Sequence, residues 1–141
     1  MKEVDLPYVT ISYEAPIVYF MFKEGAELGF PEVRELTAYA EKLSGYQHYY
    51  SFADARVDMN ITNQGKKLAG DIREAPFLRG SAVLVNNRAF RLLVNNNFKK
   101  PRYPFRAFTS REKAINWLLK LSFEEKRKKN IQIEFDYSFR W

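Results

Sequence analysis

The chain has 141 residues, of which 46% are hydrophobic and 16% aromatic, so it can bury the core of one domain. It contains no cysteine, which excludes disulfides, thiolate metal sites and cysteine catalysis and fits a cytoplasmic protein. No apolar run approaches the roughly 20 residues of a membrane-spanning helix, and the first residues lack the apolar core of a signal peptide, so we expect no membrane span.

The net charge of +6 lies in the second half of the chain. Residues 1–32 hold two basic and six acidic residues, whereas residues 79–111 hold eight basic residues and no acidic one. Such an excess suits an anionic partner such as nucleic acid or a phosphorylated ligand. A basic surface that is simply exposed to solvent is the commoner explanation of the same pattern. The charge alone therefore does not distinguish an anion-binding site from such a surface.

The first third of the chain predicts a hairpin, a helix and a strand. Apolar runs at 6–13 and 16–22, separated by a short turn, are typical of a β-hairpin. Pro31 suits the first turn of a helix, and apolar residues at three- to four-residue spacing continue that helix until Gly45. The aromatic-rich stretch 46–55 then predicts a strand.

The middle of the chain predicts two further helices around a strand. Asn60 or Thr62 can cap the first of these helices by accepting backbone N–H bonds. Residues 81–85 form a short, continuous apolar strand of the buried kind. Asn86 or Asn87 can cap the helix that follows.

Cations alternate with aromatic rings over residues 97–108 (NFKKPRYPFRAF), a composition on which single-stranded nucleic acid can stack. We favour a structural interpretation, because Pro101 and Pro104 suit a connection into a strand at 105–108. The rings of residues 97–108 are then expected to face the core, and the cations of this segment are expected to face the solvent. Nucleic-acid binding by segment 98–106 is the alternative, although no motif of a known nucleic-acid-binding module occurs.

The chain closes with a predicted helix and a predicted strand. Thr109 and Glu112 form a capping box ahead of apolar residues at helical spacing. After a charged run, the tail Ile131–Trp141 alternates apolar and polar residues, which predicts a half-buried strand. This strand can pair within its own sheet or with a second copy, giving a homodimer, and a role at a membrane surface is the remaining alternative. We therefore predict an α/β domain at 1–122 and a charged spacer with an amphipathic, strand-like tail at 123–141.

The order of these elements predicts an α/β fold, in which an N-terminal β-hairpin precedes alternating strands and helices in a mostly parallel sheet with helices packed on it. Residues 79–118 (RGSAVLVNNRAFRLLVNNNFKKPRYPFRAFTSREKAINWL) resemble a bacterial STAS-like family of small proteins. A basic residue leads into a valine-rich strand, a helix and a proline-marked strand follow, and an F-T/S-x-x-x-x-A-x-x-W-L helix closes. The similarity extends more weakly back to residue 6.

The resemblance implies a STAS-like fold, shared by anti-sigma-factor antagonists and related in outline to CRAL-TRIO lipid-binding domains. It implies a non-enzymatic regulatory or ligand- and protein-binding module without a cofactor. Since the net charge and the helix N-termini at the predicted strand ends favour an anion, we expect its partner to be a protein or a small anionic ligand. Anti-sigma-factor antagonists carry a phosphorylatable Ser or Thr in the segment that matches residues 54–69, where Thr62 is the only hydroxyl residue. Their pattern places Asp and Ser together, whereas Ile61 precedes Thr62 here. A helix cap is therefore the favoured role of Thr62 and a phosphosite the alternative.

Candidate binding residues come from the predicted topology. In open α/β sheets, ligands bind beyond the carboxyl ends of the strands. Polar residues follow two of the predicted strands and form the candidate ligand or partner site, the alternative being that they cap helices and brace loops: Asp54, Arg56, Asn60, Thr62, Asn86, Asn87 and Arg88.

Catalytic and metal chemistry has little support in the sequence. His48 is the only histidine, so a site with several His ligands is excluded. No serine lies in a nucleophile-elbow sequence, and neither of the glycine-rich phosphate-binding motifs occurs. We expect no catalytic residues and no metal. A hydrolase, the second alternative, requires a deep pocket on which an acid and a base converge.

Overall fold

The structure is a computed structural model that describes residues 2–69, 75–88, 91 and 103–138, with the backbone alone for residues 131–138. The three described helices are α1 (Phe30–Leu43), α2 (Asn63–Ala69) and α3 (Arg111–Ser138). The eight described strands are β1 (Lys2–Asp5), β2 (Val9–Glu14), β3 (Ile17–Phe22), β4 (Glu27–Leu28), β5 (Tyr49–Asp54), β6 (Asn60–Ile61), β7 (Leu78–Leu84) and β8 (Phe105–Phe108).

Six of the strands form one sheet in the order β1-β2-β3-β5-β7-β8. The pairings among β1, β2 and β3 are antiparallel, and the three pairings from β3 to β8 are parallel. The predicted hairpin and the mostly parallel α/β sheet are therefore confirmed. The sequence analysis did not predict β1, because its residues are mostly charged and exposed, as is common for a strand that protects a sheet edge.

Alternate residues of the central strands face two different helical layers. On one side, Tyr49 of β5 joins residues of α1 and α2 in one apolar cluster, and we call this side the α1–α2 face. On the other side, Phe52 of β5 and Leu84 of β7 join Leu118 of α3, and we call this side the α3 face. The sheet thus lies between two layers of helix, as its continuous apolar strands require.

The helix ends agree with the predictions in part. Helix α1 carries Pro31 in its first turn and ends at Leu43, Ser44 is its C-cap, and Gly45 then adopts a positive φ of 67°. At the start of α3, Ser110 accepts the backbone N–H bond of Lys113 at 3.3 Å, so Ser110 is the cap and the predicted capping box at Thr109 is wrong. The prediction was one residue early because both hydroxyls suit the cap equally well.

The predicted tail strand is wrong over residues 131–138, because helix α3 continues to Ser138. Once a helix is nucleated, each further residue adds one hydrogen bond at little cost. The run 124–129 consists of Glu, Lys and Arg, which are strong helix formers. Cooperative helix extension therefore outweighs the local alternation. Residues 139–141 lie outside the described residues, and the domain division at residue 122 falls within this helix and stays a prediction.

Two predicted helical stretches fall mainly outside the described residues. The backbone N–H of Arg91 donates to the Asn87 carbonyl at 3.0 Å, a helical bond at the position predicted for a helix start. The remainder of that predicted helix lies in the range 92–102, and the predicted continuation of α2 lies at 70–74. Both ranges are outside the described residues.

Candidate ligand site

A cavity of about 480 Å³ lies between the sheet and helices α1 and α2. Its walls are mainly apolar and include Phe20 of β3, Leu36 of α1, Leu68 of α2 and Phe105 of β8. The volume lies within the range of small-molecule sites, which is about 300–1,000 Å³.

The cavity exists because the central strands present small side chains to the α1–α2 face. Ser51, Ala53 and Ala55 follow one another at every second position of β5 and the residues after it, and all three border the cavity. Ser81 borders it from the neighbouring strand β7. Since side chains at alternate positions of a strand share one face, this run of small residues leaves room above the middle of the sheet.

Two buried hydroxyl groups lie on the sheet side of the cavity. Ser51 and Ser81 are directly paired residues of β5 and β7, and their Oγ atoms are 2.6 Å apart. Their relative exposures are 7% and 8%. The two hydroxyls carry two hydrogens, and only one of them lies between the oxygens. The pair can therefore donate a second hydrogen bond to a group in the cavity.

Polar residues surround the cavity where the parallel strands end. Asp58, Asn60, Lys66, Asn86 and Asn87 border it and are all exposed. The strand pair β4–β6 supports this side, since the Asn60 N–H donates to the Ala26 carbonyl at 2.9 Å. We call these five residues the polar rim.

The structure brings three of the predicted site residues to this rim, namely Asn60, Asn86 and Asn87. The Asn86 side-chain amide donates to the Arg56 carbonyl at 2.7 Å, which joins the loops that follow β5 and β7. Arg88 is exposed and does not border the cavity among the described lining residues.

Asp54 and Arg56 form an ion pair at the same strand ends. Arg56 donates from Nε and Nη2 to the two Asp54 oxygens at 2.9 and 2.7 Å, and its backbone N–H adds a third bond at 3.2 Å. Burial by itself raises the pKa of Asp54, but the hydrogen bonds and charge of Arg56 outweigh burial and lower that pKa below its ordinary value. The pair stays charged and braces the loop after β5.

Thr62 caps helix α2, which is the favoured one of its two predicted roles. Its Oγ1 accepts the backbone N–H bond of Gly65 at 3.0 Å. Gly65 is required next to it, because a Cβ there would lie 2.6 Å from the Leu28 carbonyl oxygen. Helix α2 can therefore approach β4 closely and cover the cavity. Phosphorylation of Thr62, an exposed residue, stays a prediction.

The described part of the basic aromatic segment turns its rings inward. Tyr103 and Phe108 are 9% and 8% exposed, and the Tyr103 hydroxyl donates to the Ala69 carbonyl at 2.7 Å. Burial raises the pKa of Tyr103 to about 12. These rings are part of the core as predicted, and in that part of the segment they do not form a stacking surface for bases. Residues 98–102 lie outside the described residues.

His48 lies away from the cavity, beside the start of β5. Its Nε2 is 2.7 Å from Arg79 Nη2, and its Nδ1 is 3.5 Å from Glu125 Oε1 and 3.4 Å from Lys129 Nζ. Arg79 reaches this cluster because it is the extra residue of a bulge opposite Tyr49 and Tyr50. Burial and the two neighbouring cations lower the pKa of His48.

The cavity does not assemble hydrolytic machinery from the residues that the structure describes. Ser51 and Ser81 bond to each other, and His48 does not border the cavity with them. Asp58 and Lys66 lie at the exposed rim. Acid, base and nucleophile therefore do not converge there in the way that hydrolysis requires.

Within 2–69, 75–88 and the described part of the C-terminal half, no group of three or more His, Asp or Glu side chains is placed to hold a metal ion. A membrane-spanning helix, which has to be both long and apolar, is likewise absent from these residues.

The sequence analysis missed the cavity and its serine pair. The signal was the alternation of small residues at 51, 53 and 55, but alternation of small residues is also compatible with close helix packing. Pairing of Ser51 with Ser81 depends on the strand register, which the sequence did not specify.

The chain has a STAS-like α/β fold with a ligand-sized cavity on one face of its sheet. A crystal structure of an uncharacterised protein of the DUF3478 family with a SpoIIAA-like fold, from Shewanella loihica PV-4, is similar to this chain. The TM-score is 0.52 at 17% sequence identity, and the match covers 78% of this chain and 91% of the other. This similarity shows the fold alone.

Residues 11–122 match the family described as a domain of unknown function (DUF7793), and the chain belongs to that family. No curated protein matches the chain.

Proposed function

We propose that this protein is a non-enzymatic, cytoplasmic binding module that holds a small, mostly apolar molecule between its sheet and helices α1 and α2. The observation that carries the proposal is the cavity of about 480 Å³ with apolar walls and a polar rim. Binding sites for small molecules have this composition, since apolar walls supply affinity and a few polar groups supply orientation. The lack of cysteine supports the cytoplasmic assignment.

The cavity favours an apolar ligand over the small anionic ligand expected from the charge of the chain. The rim carries one acid, Asp58, and one base, Lys66, so its formal charges cancel. Arg56 is already paired with Asp54. An anion would therefore meet no net positive charge among the described residues around the cavity, whereas an apolar molecule gains by leaving water.

The regulatory part of the proposal is that the ligand changes which protein partner binds the rim. Asn60, Asn86 and Asn87 are exposed beside the cavity, and Thr62 lies at the start of the helix that covers it. A bound molecule would fill the space beneath these residues and restrict their motion. A partner that recognises the rim would then bind the loaded and empty forms with different affinities.

Fluorescence of N-phenyl-1-naphthylamine, a neutral dye that brightens in apolar surroundings, tests the proposed function. The wild-type protein is expected to bind the dye with one saturable site. The variant Ala53→Leu places three extra carbon atoms into the cavity and is expected to weaken dye binding at least tenfold. Equal dye binding by wild type and Ala53→Leu, or no saturable binding by the wild type, would overturn the proposal.

Leu119→Ala is the matched control for a nonspecific surface effect. Leu119 is 44% exposed on helix α3, on the opposite side of the sheet from the cavity. Dye that binds exposed apolar patches would respond to Leu119→Ala, whereas dye in the cavity would not.

Homodimerisation through Ile131–Trp141 is the further element of the proposal. The predicted strand is absent over 131–138, so these residues would contact a second copy as part of helix α3 rather than by strand pairing. Sedimentation equilibrium of the full chain and of a chain ending at residue 130 tests this. A dimeric full chain with a monomeric shortened chain supports dimerisation through this segment. The same number of chains per particle in both proteins contradicts it.

A further inference from the structure

We infer that the Ser51–Ser81 hydroxyl pair selects the ligand, so that the cavity prefers an uncharged molecule carrying one hydrogen-bond acceptor, such as a ketone or ester carbonyl, on an apolar skeleton. This inference rests on the proposed function and names the class of ligand.

The hydroxyl pair offers one hydrogen bond donor to the cavity. Its Oγ atoms are 2.6 Å apart, so one hydrogen bridges the two oxygens and the second hydrogen can point elsewhere. Of the other hydroxyl side chains among the described residues that border the cavity, Tyr103 and Thr37 already donate to the Ala69 and Val33 carbonyls, and Tyr49 lies nearer the start of β5. The serine pair is therefore the donor best placed for a ligand that fills the space above the sheet.

The interior requires the ligand to be neutral. Among the described residues that border the cavity, Asp58 and Lys66 are the charged ones, and both are exposed at the rim. The interior polar residues are uncharged, and burial raises the pKa of Tyr49 as well as that of Tyr103. A carboxylate next to Ser51 would lose its water without gaining a cation, which costs far more than burying a carbonyl.

The position of the pair sets the shape of the ligand. Ser51 lies four residues before Ala55, which borders the cavity where the strand ends. At about 3.3 Å per residue the hydroxyl pair is about 13 Å from the rim. A fused-ring or short-chain molecule of that length reaches the pair with its acceptor while its other end remains near Asn86.

A thermodynamic cycle with two ligands of equal shape tests the inference. The ligands are 2-acetylnaphthalene and 2-isopropenylnaphthalene, which differ only in a carbonyl oxygen against a CH₂ group, and their Kd values come from displacement of N-phenyl-1-naphthylamine. Replacing both serines, in Ser51→Ala/Ser81→Ala, removes both partners of one hydrogen bond, which is nearly neutral for folding. The preference for the ketone over the alkene is expected to fall about three- to tenfold in the double variant.

The controls separate this inference from the proposed function. Ser12→Ala changes a serine of β2 that does not border the cavity, and it should leave the ketone preference unchanged. 2-Naphthoate should bind more weakly than the ketone to the wild type. If both ligands bind but the ketone preference is equal in wild type and double variant, or 2-naphthoate binds tightest, the inference is wrong and the proposed function stands. If the dye binds the wild type saturably but no naphthalene ligand displaces it, the inference alone is wrong. If the wild type shows no saturable dye binding, both are wrong.

Discussion

The two faces of the sheet are built from the same strands but are packed differently. On the α3 face, Phe52 is fully buried, lies 5.7 Å from the Tyr19 ring and is covered by the Arg111 guanidinium at 5.3 Å from its centroid. Phe108 and Trp117 add a second ring pair at 5.5 Å. On the α1–α2 face, the same strand presents Ser51 and Ala53, and a cavity remains above them.

The difference places the dense packing on one face of the sheet and the proposed binding site on the other. Dense packing stabilises a fold because each buried side chain contacts atoms on every side. Side chains that line an internal cavity lack those contacts on one side, so the cavity lowers the stability of the fold unless something fills it. Because neighbouring residues of a strand point to opposite faces, one strand can contribute to a densely packed face and to a face with a cavity.

Truncating the same residue type on the two faces should give the largest difference. Leu84 of β7 is fully buried on the α3 face, whereas Leu78 of the same strand borders the cavity. We expect Leu84→Ala to lower the free energy of unfolding by about 4 kcal/mol and Leu78→Ala by about 2 kcal/mol, because the latter already lacks neighbours on one side. Urea unfolding followed by circular dichroism measures both. Equal losses would contradict the contrast between the faces.

Enlarging a small residue should give effects of opposite sign. Ala82 is fully buried on the α3 face, so Ala82→Leu is expected to overpack it and lower the free energy of unfolding by about 1–3 kcal/mol. Ala53→Leu, on the α1–α2 face, fills empty space and should raise that free energy by about 1 kcal/mol. Thermal unfolding measures both variants. A destabilised Ala53→Leu would show that the cavity cannot accept a side chain.

Removing the cap of α2 should weaken the cover of the cavity without touching the α3 face. Thr62→Ala deletes the acceptor of the Gly65 N–H bond, and we expect a loss of about 1 kcal/mol in the free energy of unfolding. Thr62→Ser keeps the acceptor and is the control, expected to resemble the wild type. Chemical denaturation distinguishes them. An Ala variant as stable as the Ser variant would exclude an energetic role for the cap.

The smallest effect is expected from pH, through His48 on the α3 side. Burial, Arg79 and Lys129 hold the pKa of His48 below its ordinary value of 6.5. The unfolded chain therefore binds a proton more readily than the folded one, so the stability that depends on neutral His48 is complete above pH 6.5 and declines as the pH falls below it. His48→Gln should flatten this decline between about pH 6.5 and 5. If the stability of the variant fell with the same slope, titratable groups other than His48 would cause the decline.

Local sequence signals predicted most of the regular structure. The alternating runs around Val9 and Ile17 form the hairpin, and the spacing of Val33, Leu36 and Ala40 forms α1. The short strands β4 and β6 were missed, because two residues give no period to detect. For the candidate site, Asn60, Asn86 and Asn87 border the cavity where the parallel strands end, and Asp54 and Arg56 pair with each other there, while the binding role of these residues stays a prediction.

The sequence by itself determined the α/β class, the order of the longer elements from β2 to the start of α3 and the inward orientation of Tyr103 and Phe108, because each depends on periodicity and side-chain chemistry within a short segment. Only the tertiary structure decided that Ser51 meets Ser81, that a cavity remains above them, and that residues 131–138 extend α3. Register, packing volume and helix cooperativity depend on residues distant in the chain, which a local pattern cannot specify.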